Sequence, residues 1–183
     1  METENRLRDP GLPMALLGVL AICASWPAAG ADDVPASLQV PANEVLTQKM
    51  HAVGVQIYGC SAGKDGERRF EWVLKGPEAE LSDPAGNKIA KHYAGPTWEA
   101  KDGSKVTGEA TAHADSPDPH AIAWLLLSIK STSGTGIFGA VRFIQRLHTV
   151  GGKAPSEGCN QAAEGTQVRV PYSAEYWFYS DKP

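Results

Sequence analysis

Beyond residue 50, apolar and polar positions alternate in short runs, each stopped by Gly, Pro, Asp or Asn. Val53, Val55 and Ile57 alternate with Gly54, Gln56 and Tyr58, the two-residue period of a half-buried strand ending at Cys60. Ser61 to Gly66 follows as a loop. Phe70, Trp72 and Leu74 alternate with Glu71, Val73 and Lys75, and Gly76-Pro77 is expected to stop that strand. Asp83-Pro84-Ala85-Gly86-Asn87 is a strong turn signal, followed by a short strand over Lys88 to Tyr93 that ends at Gly95-Pro96. Thr97 to Gly108 reads as a hairpin with Trp98 as its large packing residue. Asp102-Gly103 at its tip suits a type I′ turn, whose two central residues need positive φ. Ala114 to Pro119 is a loop rich in Pro and Asp. The apolar run Ile122 to Ile129 predicts a strand buried on both faces. Val141, Phe143, Gln145, Leu147 and Thr149 resume the alternation. The last strand is expected near Val168 to Tyr179, with Val170, Tyr172, Ala174, Tyr176 and Phe178 on one side. Pro171 within it marks an edge or a bulge.

No stretch of this part carries a long helical stripe. Some eight short strands, with turn signals about every ten residues, predict an all-β fold. The expected architecture is a single-domain β-sandwich or closed barrel of short antiparallel strands.

The N-terminus departs from this pattern. Residues 14 to 25 form an uncharged apolar run, preceded by Arg6 and Arg8 and followed by the small residues Ala29-Gly30-Ala31. That is the layout of a signal peptide over 1–31, leaving one secreted β-rich domain over 32–183 in a secreted or periplasmic location. Cys23 would leave with the leader, and Ile22 before it opposes lipidation, where a small residue is usual. Cys60 and Cys159 remain. An oxidising compartment favours a disulfide between them, closing a loop of about 100 residues; two free buried thiols are the alternative. No later apolar run approaches the roughly 18 residues of a membrane span. Net charge is −4, and Lys and Arg do not cluster. No nucleic-acid footprint is therefore expected.

Candidate chemistry is sparse. Gly134-Thr135-Gly136-Ile137-Phe138-Gly139 matches G-x-G-x-x-G, but no series of β-α units follows to place those glycines against a pyrophosphate. It reads instead as a hairpin or crossover loop, and no cofactor is expected. The segment His113 to His120 gathers two imidazoles and two carboxylates. His113, Asp118 and His120 are the candidate metal ligands there, for a metal-dependent secreted enzyme. The competing reading is a surface turn whose aspartates bond locally. No G-x-S-x-G elbow is present. Glu71, Glu99, Asp102 and Glu109 supply carboxylates for a glycosidase-like pair, whose separation a sequence does not reveal. Aromatic residues are numerous, and Tyr176-Trp177-Phe178-Tyr179 must place rings on both strand faces. An outward ring would suit a cell-envelope glycan or protein partner. Trp98, Glu99 and Asp102 are the expected ligand contacts of a non-catalytic binding or cell-envelope module.

Several separated blocks carry a resemblance. They are Val34 to Ala42, His51 to Cys60, Gly95-Pro96-Thr97-Trp98-Glu99 with Asp102-Gly103-Ser104, and Ala123 to Leu127. Ile144-Gln145-Arg146, Gly151-Gly152 with Pro155, Gly158-Cys159, and Val170 through Tyr179 complete them. Together they resemble the secreted domain-of-unknown-function family 3455 of bacteria and fungi. The resemblance implies export and one compact domain. It supplies no established activity and no catalytic residues. His148 stands where that family's pattern leads one to expect Asn.

Overall fold

The computed structural model describes Met1, residues 34–63 and residues 69–183. The expected signal peptide and its cleavage site lie outside the described residues, as does most of the loop after Cys60. Residues Val34–Pro183 form one compact unit.

Eight strands follow one another around a closed antiparallel barrel. They are β1 (Glu44–Ala62), β2 (Phe70–Ser82), β3 (Lys88–Tyr93), β4 (Thr97–Ala100), β5 (Lys105–Ala114), β6 (Trp124–Ser133), β7 (Val141–Gly151) and β8 (Gln167–Asp181). Pairing of β1 with β8 closes the ring, so the barrel leaves no free edge along its body. Every strand pair is antiparallel, and neighbours in sequence are neighbours in space.

Several strands run on where turn residues lead one to expect a stop. Gly76-Pro77 does not end β2. The β1–β2 register shifts between Ile57 and Tyr58, and the strand bends there without breaking. Gly76 takes φ 147°, and a Cβ on it would lie 2.6 Å from that of Ala94. Pro77 is tolerated because β3 pairs with β2 only from Glu78 onward. Pro171 sits at the matching place on β8, just beyond the last β7 pair, Gly151 with Tyr172. Upstream of Gly76 and of Pro171, β2 and β8 extend with β1 past the ring.

The turn after β4 also differs from expectation. Ala100 N–H donates to Ser104 O, and of the loop residues only Gly103 has positive φ, 87°. This is a three-residue connection with glycine in the left-handed position, not a type I′ turn.

The barrel interior holds one apolar cluster, including Met50, Leu81, Trp98, Phe138, Ile144 and Phe178. A second cluster lies outside the ring, where Leu38 packs with Trp124, Leu126, Leu147, Trp177 and Tyr179. The 3-10 turn Ala36–Leu38 thus lies across the outer face of the later strands. This explains the double-sided apolar pattern of β6: Leu127 joins the inner cluster, Trp124 and Leu126 the outer one. The outward rings Trp177 and Tyr179 are covered in the same way. Bulges divide β7 between the two clusters, Val141 and Ile144 inside and Phe143 and Leu147 outside, so its apparent single alternating face is not one face.

The two ends of the barrel differ. One end carries the short turns 83–87 and 101–104 and the glycine loop 134–140. Here Phe138 is fully buried and stacks on Phe178 at 4.8 Å, closing the lumen. The Asp102 carboxylate clasps that loop. Oδ2 accepts from Ile137 N–H at 2.8 Å, and Oδ1 accepts from Ser104 N–H at 2.8 Å and from its hydroxyl at 2.6 Å. Ser104 Oγ in turn accepts from Phe138 N–H. The glycine signature therefore serves packing: a Cβ on Gly136 would fall 2.2 Å from the Asp102 carboxylate. Gly136→Ala is expected to cost about 1–3 kcal/mol, as overpacking typically does. The carboxylate yields only by breaking its hydrogen bonds, so Asp102→Ala introduced alongside should recover part of the loss in a thermal melt.

A candidate functional site at the barrel mouth

At the opposite end the long connections gather. Residues 152–166 are tied to the β1–β2 extension by the Cys60–Cys159 disulfide, with 5.3 Å between Cα atoms. Trp72 Nε1 donates to Glu157 O at 2.9 Å, and Tyr58 OH to Gly152 O at 2.7 Å. Gly152 stands between Tyr172, Ile122 and Gln56, where a Cβ would meet Tyr172 Cβ at 2.8 Å.

Beneath these connections lies a cavity of about 180 Å³. Its apolar wall is Leu74, Pro77, Pro96, Leu125 and Leu127, with Leu74 53% exposed at the rim. Its polar groups come from five different strands: Gln56, His92, Trp98, Arg146 and Tyr176. Closure of the ring brings them together. On β1 the inward face is Ala52, Gln56 and Tyr58, while Val53 is 58% exposed on the outside. The valine face, the more apolar one in sequence, is the outer face.

The floor is an aromatic stack. His92 lies on Trp98 with ring centroids 4.2 Å apart and planes 12° from parallel, and Tyr176 meets both rings edge-on. His92 is 3% exposed. Its Nδ1 lies 2.8 Å from Thr97 O, a carbonyl that only accepts, so this nitrogen carries the proton and donates. Burial, reinforced by the nearby Arg146 charge, drives the His92 pKa down to about 3, and the ring is neutral. Burial likewise pushes the Tyr172 and Tyr176 hydroxyls up, so both stay protonated.

Two residues lining this cavity, Gln56 and Trp98, bury Nε2 and Nε1 with no hydrogen-bond partner among the described residues, and the buried Tyr176 hydroxyl has only Tyr172 and Arg146 beside it. Buried polar groups in native proteins are rarely left so. Arg146 Nε and Nη2 both donate to Ala123 O, at 3.1 and 2.8 Å. The guanidinium pairs with no carboxylate among the described residues, and no Asp or Glu lines the cavity.

The expected ligand contacts separate. Trp98 faces the cavity. Glu99, its chain neighbour, faces outward and is bound by Tyr93 OH at 2.6 Å and Lys91 at 3.5 Å. Asp102 lies at the closed end of the barrel, in the clasp. The Tyr93 and Lys91 contacts hold the Glu99 carboxyl below its usual range, and the clasp does the same for Asp102, chiefly through Ser104. Of the His113–His120 segment, His113 lies on β5, and a turn follows in which Asp118 Oδ1 accepts from His120 N–H at 2.8 Å, and Lys153 Nζ donates to Pro119 O at 2.5 Å. No group of three metal-ligating side chains occurs among the described residues. A larger groove of about 480 Å³ runs over the outside of β1–β3, but its charges already pair, as in Arg169 with Glu78 at 2.8 Å. Sequence reasoning missed Gln56, His92, Arg146 and Tyr176 as a set. The signal open to it was a polar residue, Gln56, His92 or Arg146, within each of three strands.

Fold and site together define a class: an eight-stranded antiparallel barrel with a small, partly polar cavity in one mouth. The chain belongs to the family described as protein of unknown function (DUF3455), which matches residues 41–180. No curated protein and no solved structure matches it. Among the described residues no helix is long and apolar enough to cross a membrane.

Proposed function

We propose that this protein is an exported binding module that holds a small ligand in the mouth of its barrel and catalyses no reaction. One observation carries the reading: Gln56 and Trp98, whose buried Nε2 and Nε1 have no partner among the described residues, line a single cavity together with Tyr176 and Arg146. Barrel mouths are a common place for ligand sites, and eight strands leave an interior able to hold one small molecule. The disulfide fits an oxidising compartment and supports export, as does the apolar N-terminal run. A cell-envelope glycan or protein remains a partner for the outer surface in this reading.

The test is an NMR fragment screen that follows the Trp98 indole N–H, assigned through Trp98→Phe. Small single-ring compounds are expected to shift it, and Ala110→Trp, at the cavity edge, to abolish the response. Shifts confined to the outer β1–β3 groove, or none anywhere, would overturn the mouth as the site. N-terminal sequencing of the exported protein is expected to begin near Asp32.

A further inference from the structure

Resting on the mouth as the binding site, we infer that the ligand is a small carboxylate with a compact apolar body, its acid group met by Arg146. The charge argument comes first. Arg146 is a permanent cation, partly buried, at a cavity lined by no acidic side chain among the described residues. A cation withdrawn from water calls for an opposite charge, and the described residues supply none there. Two of the guanidinium's N–H groups bond Ala123 O, and the Tyr176 hydroxyl also lies beside the fork, which leaves the rest of its five donors for a ligand.

The donor inventory points the same way. Trp98 Nε1 can only donate, as can the guanidinium. The Tyr176 hydroxyl is kept protonated by burial and so retains a hydrogen to donate. The ring nitrogen of His92 not bonded to Thr97 carries no proton and only accepts, so it is the one group of the floor that does not serve an anion. A site of convergent donors with one uncompensated positive charge is complementary to an oxyanion, and the planar arginine fork suits a carboxylate in particular.

Size and wall set the rest of the molecule. A dry apolar cavity of about 150 Å³ accommodates a benzene ring, and this one is about 180 Å³. Leu74, Pro77, Leu125 and Leu127 make an apolar sleeve between the rim and the donors. One aromatic ring or a short branched chain, entering behind its carboxylate, fills that space. A phosphorylated sugar would leave its hydroxyls against leucine and proline without partners.

Calorimetric titration with three compounds sharing one ring tests this: benzoate, benzyl alcohol and benzylamine. Benzoate is expected to bind at least tenfold more tightly than either of the others. Arg146→Gln should erase that preference, and Arg146→Lys should retain part of it, since a charge remains. Arg146 also supports Ala123, so thermal melts of both variants establish that the barrel is folded. Equal binding of benzoate and benzyl alcohol, or a preference that survives Arg146→Gln in a folded barrel, overturns the carboxylate and leaves the mouth site standing. Failure of all three to bind overturns the carboxylate, and a silent Trp98 resonance beside it removes the mouth reading as well.

Discussion

Replacing Cys60 and Cys159 together by serine is expected to lower the unfolding free energy by about 4–5 kcal/mol, the chain-entropy value for a loop of this length. The bond joins residues 99 apart, so it ties the upper end of β1 to the loop entering β8 and encloses nearly the whole ring. Its effect falls on the unfolded chain, whose freedom it restricts. The native contacts around it do not depend on sulfur. Cys60 N–H donates to Thr166 O at 2.9 Å, and Gly165 N–H donates to Cys60 O at 3.0 Å. Asn160 Oδ1 caps the short turn that follows by accepting from Ala162 and Ala163 N–H. The serine variant should therefore fold to the same barrel. Its urea midpoint should drop with a somewhat larger denaturant slope, because its unfolded state is more expanded. Against a total stability typically of about 5–15 kcal/mol, the loss is a large share. A change under about 1 kcal/mol would mean that the unfolded chain already keeps β1 and β8 together without the cross-link.

The sequence was most legible where local chemistry decides. Asp83 to Asn87 makes its turn through its own side chains, Asp83 Oδ1 accepting from Asn87 N–H, and β3 occupies the expected Lys88 to Tyr93. Legibility failed where the ring decides. Gly76-Pro77 looks like a stop because a lone strand would end there; in the barrel it is a bend at the point where β3 falls away. Phe138 looks like a residue of an exposed glycine loop, but the loop folds inward because Asp102 and Ser104 hold its amides. The cavity was least visible. Alternation separates two faces without saying which is inner, and on β1 the inner face carries Gly54 and Gln56. Glycine is needed there, since a Cβ on Gly54 would lie 2.1 Å from Glu78 O. Small and polar residues on the inner face leave the upper lumen unfilled, and that vacancy is the candidate site.

Acid should expose the floor of that site. Below about pH 6.5, the ordinary value for histidine, unfolded chains take up a proton at residue 92 while the folded barrel, with its pKa near 3, does not. Stability then falls as pH falls, at about 1.4 kcal/mol per pH unit, throughout the window from about 6.5 to 3. Between pH 6.5 and 5 this amounts to about 2 kcal/mol, read as a falling urea midpoint. The groups facing the ring cannot offset it: Arg146 repels a second positive charge, Trp98 and Tyr176 are neutral, and Thr97 presents a carbonyl already bonded to Nδ1. Carboxyls held below their ordinary values, such as Asp83, Asp102 and Glu99, also lose stability in acid, but only as pH falls past the ordinary carboxyl range, beneath the interval from pH 6.5 to 5. His92→Asn isolates the effect. Its amide can still donate toward Thr97, its loss of ring stacking lowers stability at every pH, and its profile between pH 6.5 and 5 should be flatter than that of the unaltered protein by the histidine's slope. Parallel profiles would mean that the folded barrel protonates His92 as readily as water does, which requires solvent to reach the ring through the mouth and the aromatic floor to be wet.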